Sequence, residues 1–317
     1  MKVFIVTPEP PDGTLGNSIT AQRWAGILRS LGHDVRISRD WIADDVDMLV
    51  ALHALRSHPA IRRFKDSHPA RPLILGLTGT DLYRDLRRSA SARESLVLAD
   101  RIVALQESAP AELLPEIAAK TQVIYQSAIP PARRTEPAED RFEVCVLSHL
   151  RDVKDPLRAA MAARLLPSGS KIHVIHAGKA IEAQWLVRTR AEEAANSRYT
   201  WIGEQSHEES MQLLARSRVL VLSSLMEGGS NAVAEAVVCG VPVLCSNISG
   251  NAGMLGAEYP GFFRAQDSAA LAGLLHRAET DPSFLSTLKA VIHRLRPRFS
   301  PEREQASWKS LMDEWTK

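Results

Sequence analysis

The chain has 317 residues, 45% of them hydrophobic and 24% charged, with 39 Lys and Arg against 37 Asp and Glu for a net charge of +2. This balance excludes wholesale disorder and leaves apolar material for two cores of ordinary size. Divided at residue 140, the two parts carry 18 basic with 18 acidic residues and 21 with 19, so neither has the positive excess of a nucleic-acid-binding domain.

The opening MKVFIVTPEPPDG holds one Lys and an apolar run too short for a signal peptide. It reads as the first strand, 2–7, of a cytoplasmic protein. Further strands are predicted at 34–38, 47–52, 72–77, 101–105 and 121–125, with helical patterns between them. In the helix at 18–31, Ile19, Trp24, Ile27, Leu28 and Leu31 share a face, and Gly32 follows as the cap. Near-continuous apolar strands separated by helices predict a parallel sheet covered on both sides. Residues 128–141 (AIPPARRTEPAEDR) break the alternation and read as a linker. Strands resume at 142–147, 171–176, 199–202, 218–222 and 241–245. The tail is helical at 267–279, 281–296 and 302–316, with Asp267, Asp281 and Ser300 as N-cap candidates. Trp308, Leu311, Met312 and Trp315 recur at helical spacing, so the last helix is expected to dock on the first domain.

The expected fold class is therefore α/β, with two facing Rossmann-like, doubly wound parallel-sheet domains at 1–130 and 140–299. The segment 300–317 returns to the first. No apolar stretch approaches the ~18 residues of a membrane span. Cys145, Cys239 and Cys245 lie in apolar runs without CxxC spacing, which argues against a zinc knot or a disulfide framework. His173 and His176, three apart on one strand, point to opposite faces, and no histidine spacing calls for a metal.

Ligands of open α/β sheets bind beyond the carboxyl ends of the strands, and two facing sheets would place a site in the cleft between them. The most informative stretch is 218–243, RVLVLSSLMEGGSNAVAEAVVCGVPV. A buried strand ends in Ser223-Ser224, a turn of small residues follows, and a helix begins near Ser230. Gly228 and Gly229 permit close approach of a ligand to the backbone. The amides of Asn231 and Ala232, at the positive end of the helix dipole, suit a phosphate. Glu227 and Glu235 supply carboxylates of the kind that accept two hydrogen bonds from a vicinal diol.

In this stretch Ser224, Glu227, Gly228, Glu235, Ala236, Gly240, Pro242 and Val243 match, in order, the motif S-x-x-E-G-x6-E-A-x3-G-x-P-V. The chain thus resembles the retaining glycosyltransferases of the two-domain GT-B fold. The resemblance implies that Glu227 contacts sugar hydroxyls, that Glu235 contacts the ribose diol, and that Ser230, Asn231 and Ala232 face the diphosphate. At 148–155, SHLRDVKD, Lys154 fits the family's diphosphate-binding Lys, while His149 and Ser148 stand where Arg and Gly are usual. Arg151 adds a cation, so two or three positive groups flank a leaving diphosphate. Gly13, Gly16 and Asn17 match the glycine loop that closes over the donor. The family's H-G-x-D becomes Thr78-Gly79-Thr80-Asp81, with Thr78 replacing the His, and His53 and Arg56 follow the strand at 47–52.

Over essentially the whole chain, the combination N-S-I-T-A-x-R-W, A-L-H-A-x-R-S, L-T-G-T-D-L-Y-R-D-L, Y-Q-S-A, H-L-R-D-V-K-D-P and M-E-G-G-S-N resembles the selenosugar synthases of selenoneine biosynthesis. This implies a UDP-sugar, typically UDP-N-acetylglucosamine, and selenophosphate as substrates, joined through a carbon–selenium bond, with no cofactor or metal required. Other enzymes of that pathway are its implied partners. Catalytic roles would fall to Glu227, Lys154 and His149, and acceptor binding to Thr20, His53, Thr78, Thr80 and Arg84. The competing readings are a glycosyltransferase with a sugar, lipid or natural-product acceptor, and a non-transferring relative. A silent binder would be expected to have lost Glu227 or Lys154, and both are present.

Overall fold

The structure is a computed structural model and describes residues 1–41, 45–133 and 135–316. Residues 42–44 of the predicted first domain, residue 134 of the predicted linker and residue 317 of the predicted tail lie outside the described residues.

Apolar runs without polar alternation have to be covered on both faces, and they become the strands of two parallel sheets. The run Met48–Leu52 is buried at every position. In the first sheet β1 (Lys2–Val6), β2 (Asp34–Ser38), β3 (Met48–Leu52), β4 (Leu73–Gly76), β5 (Arg101–Ala104) and β6 (Thr121–Val123) lie in the order β2-β1-β3-β4-β5-β6. The second sheet holds β7 (Phe142–Leu147), β8 (Ile172–Ala177), β9 (Tyr199–Gly203), β10 (Val219–Leu222), β11 (Val243–Ser246) and β12 (Phe262–Phe263), in the order β12-β11-β10-β7-β8-β9. The two-residue β12 was not predicted: a pair of aromatics carries no period, and only its pairing with Cys245 and Ser246 makes it a strand.

Both sheets reverse their winding next to their first strand. The switch points are β1/β3 and β7/β10, where doubly wound sheets leave a crevice for ligands.

The chain divides into two compact units. One comprises Met1–Gln126, Glu227–Gly229 and Pro301–Lys317; the other comprises Ser127–Met226 and Ser230–Ser300. In the first unit, one face of the sheet packs Trp41, Ile61, Phe64 and Leu96. The other face packs Trp24, Leu28, Trp308, Leu311 and Met312. The helix Pro301–Met312 therefore completes the first core. Trp24 and Trp308 meet edge to face with ring centroids 4.8 Å apart. Gly76 makes room for Trp24: a Cβ there would come within 2.6 Å of the indole. Trp315 lies beyond the helix end yet packs on the same cluster.

The helix Gly16–Ser30 ends as its sequence predicts. Gly32 takes a φ of +87°. Its N–H donates to the Arg29 carbonyl at 2.9 Å, and the His33 N–H donates to Leu28 at 3.1 Å, which is the Schellman closure. Asp267 and Asp281 cap the helices Ser268–Thr280 and Pro282–Leu295 through the amides of Ala270, Ser283 and Phe284.

Candidate functional site

In the second unit, the loops after β7 and β10 flank the switch point and are tied to each other. The Ser223 hydroxyl donates to the carbonyls of Lys154 (3.2 Å) and Asp155 (2.9 Å), and the Leu225 N–H donates to Val153 O at 2.8 Å. Lys154 closes a short 3-10 turn, Asp152–Lys154, before Asp155 takes the left-handed backbone at φ +45°. The Arg151 Nε is shielded from solvent and has no hydrogen-bond partner among the described residues.

His149 rides on a loop held from beneath. Leu150 bridges to Ala180, and the Lys179 N–H donates to His149 Nδ1 at 3.1 Å. Fully buried His176 approaches the Ser148 carbonyl with Nε2 at 2.9 Å and the Tyr199 hydroxyl with Nδ1 at 3.0 Å. A carbonyl can only accept, so Nε2 carries the proton and Nδ1 accepts from Tyr199. Burial pulls the His176 imidazole down to about 4 and keeps it neutral. A Cβ on Gly178 would sit 1.8 Å from Ser148 O, so only glycine lets the two loops meet.

The helix Asn231–Cys239 starts as predicted. Ser230 is its N-cap, and its Oγ takes the Val233 amide at 3.4 Å. The Ser230 amide itself is directed at Met254 Sδ. Asn231 and Ala232 form the first turn, and Gly240 closes the helix at φ +71°. Glu235 is largely buried, with Oε1 3.8 Å from His207 Nδ1.

Glu227, Gly228 and Gly229 group by their contacts with the first unit, and Glu227 is buried. At both glycines the side where a Cβ would stand faces protein. A Cβ on Gly228 would lie 2.4 Å from the Thr78 carbonyl carbon, and one on Gly229 would lie 2.4 Å from Leu105 Cβ. The glycine loop divides similarly. A Cβ on Gly13 would meet Pro10 O and Ser18 Oγ at 3.0 Å, whereas Gly16 faces open space and Asn17 is half-buried in the first helical turn.

The remaining first-unit candidates differ in what they can offer. The Thr20 hydroxyl donates to Gly16 O at 2.9 Å and accepts from Gln126 Nε2 at 2.6 Å, so its donor is committed inside the fold. The Thr78 hydroxyl likewise donates to Asp81 Oδ1 at 2.9 Å. Arg84 holds Asp85 through Nε at 2.8 Å and keeps its outer nitrogens near solvent. Arg56 pairs with Glu9 at 2.5 Å.

Sequence reasoning assigned no role to Asp81, the centre of this loop. Its fully buried carboxylate accepts the amides of Thr78, Ala54 and Leu82 at 2.9 to 3.0 Å, as well as the Thr78 hydroxyl. The clue was the D of T-G-T-D, whose partners only the fold reveals. His53 is also buried, at φ +75°, with Nε2 3.1 Å from Thr80 Oγ1 and 3.7 Å from Asp85 Oδ2. Burial lowers its pKa below the usual imidazole value, against the pull of Asp81 and Asp85.

Residues 131–294 match the family model described as "Glycosyl transferases group 1", which spans just over half of the chain. The chain belongs to that family. Among curated relatives, this group 1 member is 27% identical over 287 residues to glycogen synthase of Mycobacterium tuberculosis, covering 79% of its own length and 64% of the relative's. It thus spans less than two thirds of that relative. Among solved structures, the fold is similar to that of Anabaena HepE in complex with UDP-glucose (TM-score 0.79, 16% identity, 99% of this chain and 100% of that one). It is also similar to sucrose-phosphate synthase from Thermosynechococcus elongatus (TM-score 0.77, 16% identity, 98% of each chain). These likenesses establish the GT-B fold. Among the described residues, no group of three or more His, Cys, Asp or Glu could hold a metal ion, and no helix is long and apolar enough to cross a membrane.

Proposed function

We propose that this group 1 family member transfers the sugar of a UDP-sugar to selenophosphate, acting as a selenosugar synthase. The observation that carries the donor half is the strand–turn–helix from Val219 to Cys239, tied at the sheet's switch point to the loop of Lys154. Glu235 would accept the ribose hydroxyls, and the first-turn amides of Asn231 and Ala232, capped by Ser230, would face the diphosphate. Lys154 and Arg151 would neutralise the departing UDP, and His149, whose Nδ1 accepts the Lys179 N–H, would donate a hydrogen bond to it from Nε2. Glu227 would contact the sugar. The second unit is then the nucleotide-sugar domain and the first unit the acceptor domain.

The acceptor half rests on the sequence resemblance, and the chemistry of the first-unit loop supports it. A small dianion needs hydrogen-bond donors and cations rather than sugar-shaped walls. Thr80, with His53 behind it, and the outer nitrogens of Arg84 can supply them. Selenium attacks C1 of the sugar, the C1–O bond to UDP breaks and UDP leaves. Water then cleaves the Se–P bond, releasing phosphate and the selenosugar. Selenium is a soft nucleophile and needs no strong base, so positioning and leaving-group stabilisation are what the protein must provide. Three buried cysteines outside any disulfide suit a reducing compartment, which supports a cytoplasmic setting.

The test is incubation with UDP-N-acetylglucosamine and selenophosphate, followed by mass measurement of the products. Release of UDP and phosphate with a selenosugar is the expected result. Inertness toward selenophosphate, with efficient transfer to an alcohol or lipid, would replace this reading by an ordinary glycosyltransferase.

A further inference from the structure

Three unusual features coincide within the first unit. His53, a non-glycine residue, holds a left-handed backbone at φ +75° while almost wholly buried. The five residues Asp81–Asp85 form a π-helical turn, a rare geometry that recurs at functional sites. Asp81 ties that turn to Ala54, the neighbour of His53. Strain of this kind persists only where the surroundings impose it.

The hydrogen bonds around His53 fix the direction of its proton. The Arg56 backbone N–H donates to Nδ1 at 3.2 Å, so Nδ1 is an acceptor and carries no hydrogen. The proton of the neutral ring therefore sits on Nε2, and Nε2 donates to Thr80 Oγ1 at 3.1 Å. A nitrogen that donates cannot also take up a proton, so His53 does not serve as a base toward Thr80. It instead occupies one lone pair of the Thr80 oxygen and leaves the Thr80 proton to turn elsewhere. Thr80 is half-buried, and no acceptor takes its proton among the described residues. The neighbouring hydroxyl of Thr78 is spent on Asp81. The nearby carboxylates are also occupied, Asp81 by backbone amides and Asp85 by Arg84, which limits their repulsion of an incoming anion.

We infer that His53 is a positioning residue that aims the Thr80 hydroxyl as a hydrogen-bond donor at a phosphoryl oxygen of the acceptor. The inference rests on the reading of the first unit as the selenophosphate-binding side. His53 sets the polarity of the contact, and Thr80 makes it.

The experiment measures steady-state KM for selenophosphate and for UDP-N-acetylglucosamine in wild type, Thr80→Val, Thr80→Ser, His53→Asn and the double variant His53→Asn with Thr80→Val. Asparagine tolerates the left-handed backbone but lacks the reach of Nε2. Thr80→Val is expected to raise KM for selenophosphate by roughly tenfold or more, the scale of a hydrogen bond to a charged group, with KM for the UDP-sugar unchanged. Thr80→Ser should restore it. His53→Asn should raise the same constant, and the double variant should be no worse than Thr80→Val alone, because His53 acts through Thr80. Cooperative urea unfolding with wild-type midpoints, followed through the first-unit tryptophans, confirms that each variant is folded. An unchanged selenophosphate KM in Thr80→Val, or additive losses in the double variant, would overturn the inference and leave the selenosugar reading intact. A wild type that ignores selenophosphate would overturn both.

Discussion

The loops at the carboxyl ends of the two sheets are built by different physics. In the second unit, the loop after β7 extends the sheet's own pattern. Leu150 bridges to Ala180, the backbone of Leu225 bonds that of Val153, and a capped helix follows β10. Regular backbone pairing and a helix N-terminus do most of the positioning. In the first unit, the loops after β3 and β4 are joined by side chains: a buried carboxylate gathers amides from both, and a strained histidine reaches across to Thr80. A site made from backbone amides leaves a mark in the sequence, because glycines, caps and strand ends have fixed spacings. A site made from long-range side-chain contacts leaves none beyond scattered polar residues.

That contrast can be broken experimentally. The largest effect is expected for Gly178→Ala, where a Cβ would lie 1.8 Å from the Ser148 carbonyl. The clash should cost more than about 3 kcal/mol in urea unfolding or displace the His149 loop and weaken UDP binding, read by calorimetry. If neither changes, backbone fit is not what holds the second-unit loop.

Asp81→Asn addresses the other region. Its new amide must place N–H groups against a backbone donor, either Ala54 N–H or the Thr78 and Leu82 amides. A loss of about 3 kcal/mol is expected, measured by denaturant unfolding, with UDP affinity retained. A neutral outcome would mean the carboxylate is not the organiser of the first-unit loops.

His176 sharpens the comparison through pH. Its folded pKa, about 4, lies below the usual 6.5, so the unfolded chain binds the extra proton in between. Its contribution to stability is therefore present above 6.5 and lost as pH falls toward 4. Between pH 7 and pH 5 this single group should remove about 2 kcal/mol of stability. Denaturation at both pH values, in wild type and His176→Gln, checks it. The variant should show a slope shallower by that amount.

The smallest expected change is in Glu235→Ala, which keeps the fold and should lower UDP affinity by roughly tenfold, about 1.5 kcal/mol, in a calorimetric titration. Unchanged affinity would remove Glu235 from the proposed ribose contact.

Most of the fold was legible in the sequence because its signals are local. Unbroken apolar runs such as DMLVAL and FEVCVL can only be covered strands, and their boundaries fall within a residue or two of those expected. Gly32, Asp267 and Asp281 mark helix ends by conformation and capping chemistry that each carries alone. Trp308, Leu311 and Met312 announced a buried helical face, since that much apolar surface in one stripe has to be covered. The candidate site was legible only in part. The helix start near Ser230 and the turn before it could be read from spacing. That Thr20 spends its hydroxyl on Gly16, or that the Cβ side of Gly228 faces Thr78, could not.

By itself, then, the sequence determined the two parallel sheets, their helices and the positions of the loops at the strand ends, because burial, period and capping act over a few residues. Only the tertiary structure decided the order of the strands, the partner of Asp81, the proton on His53 and the neutrality of His176. These depend on groups brought within about 3 Å from distant parts of the chain, where burial makes every hydrogen bond obligatory.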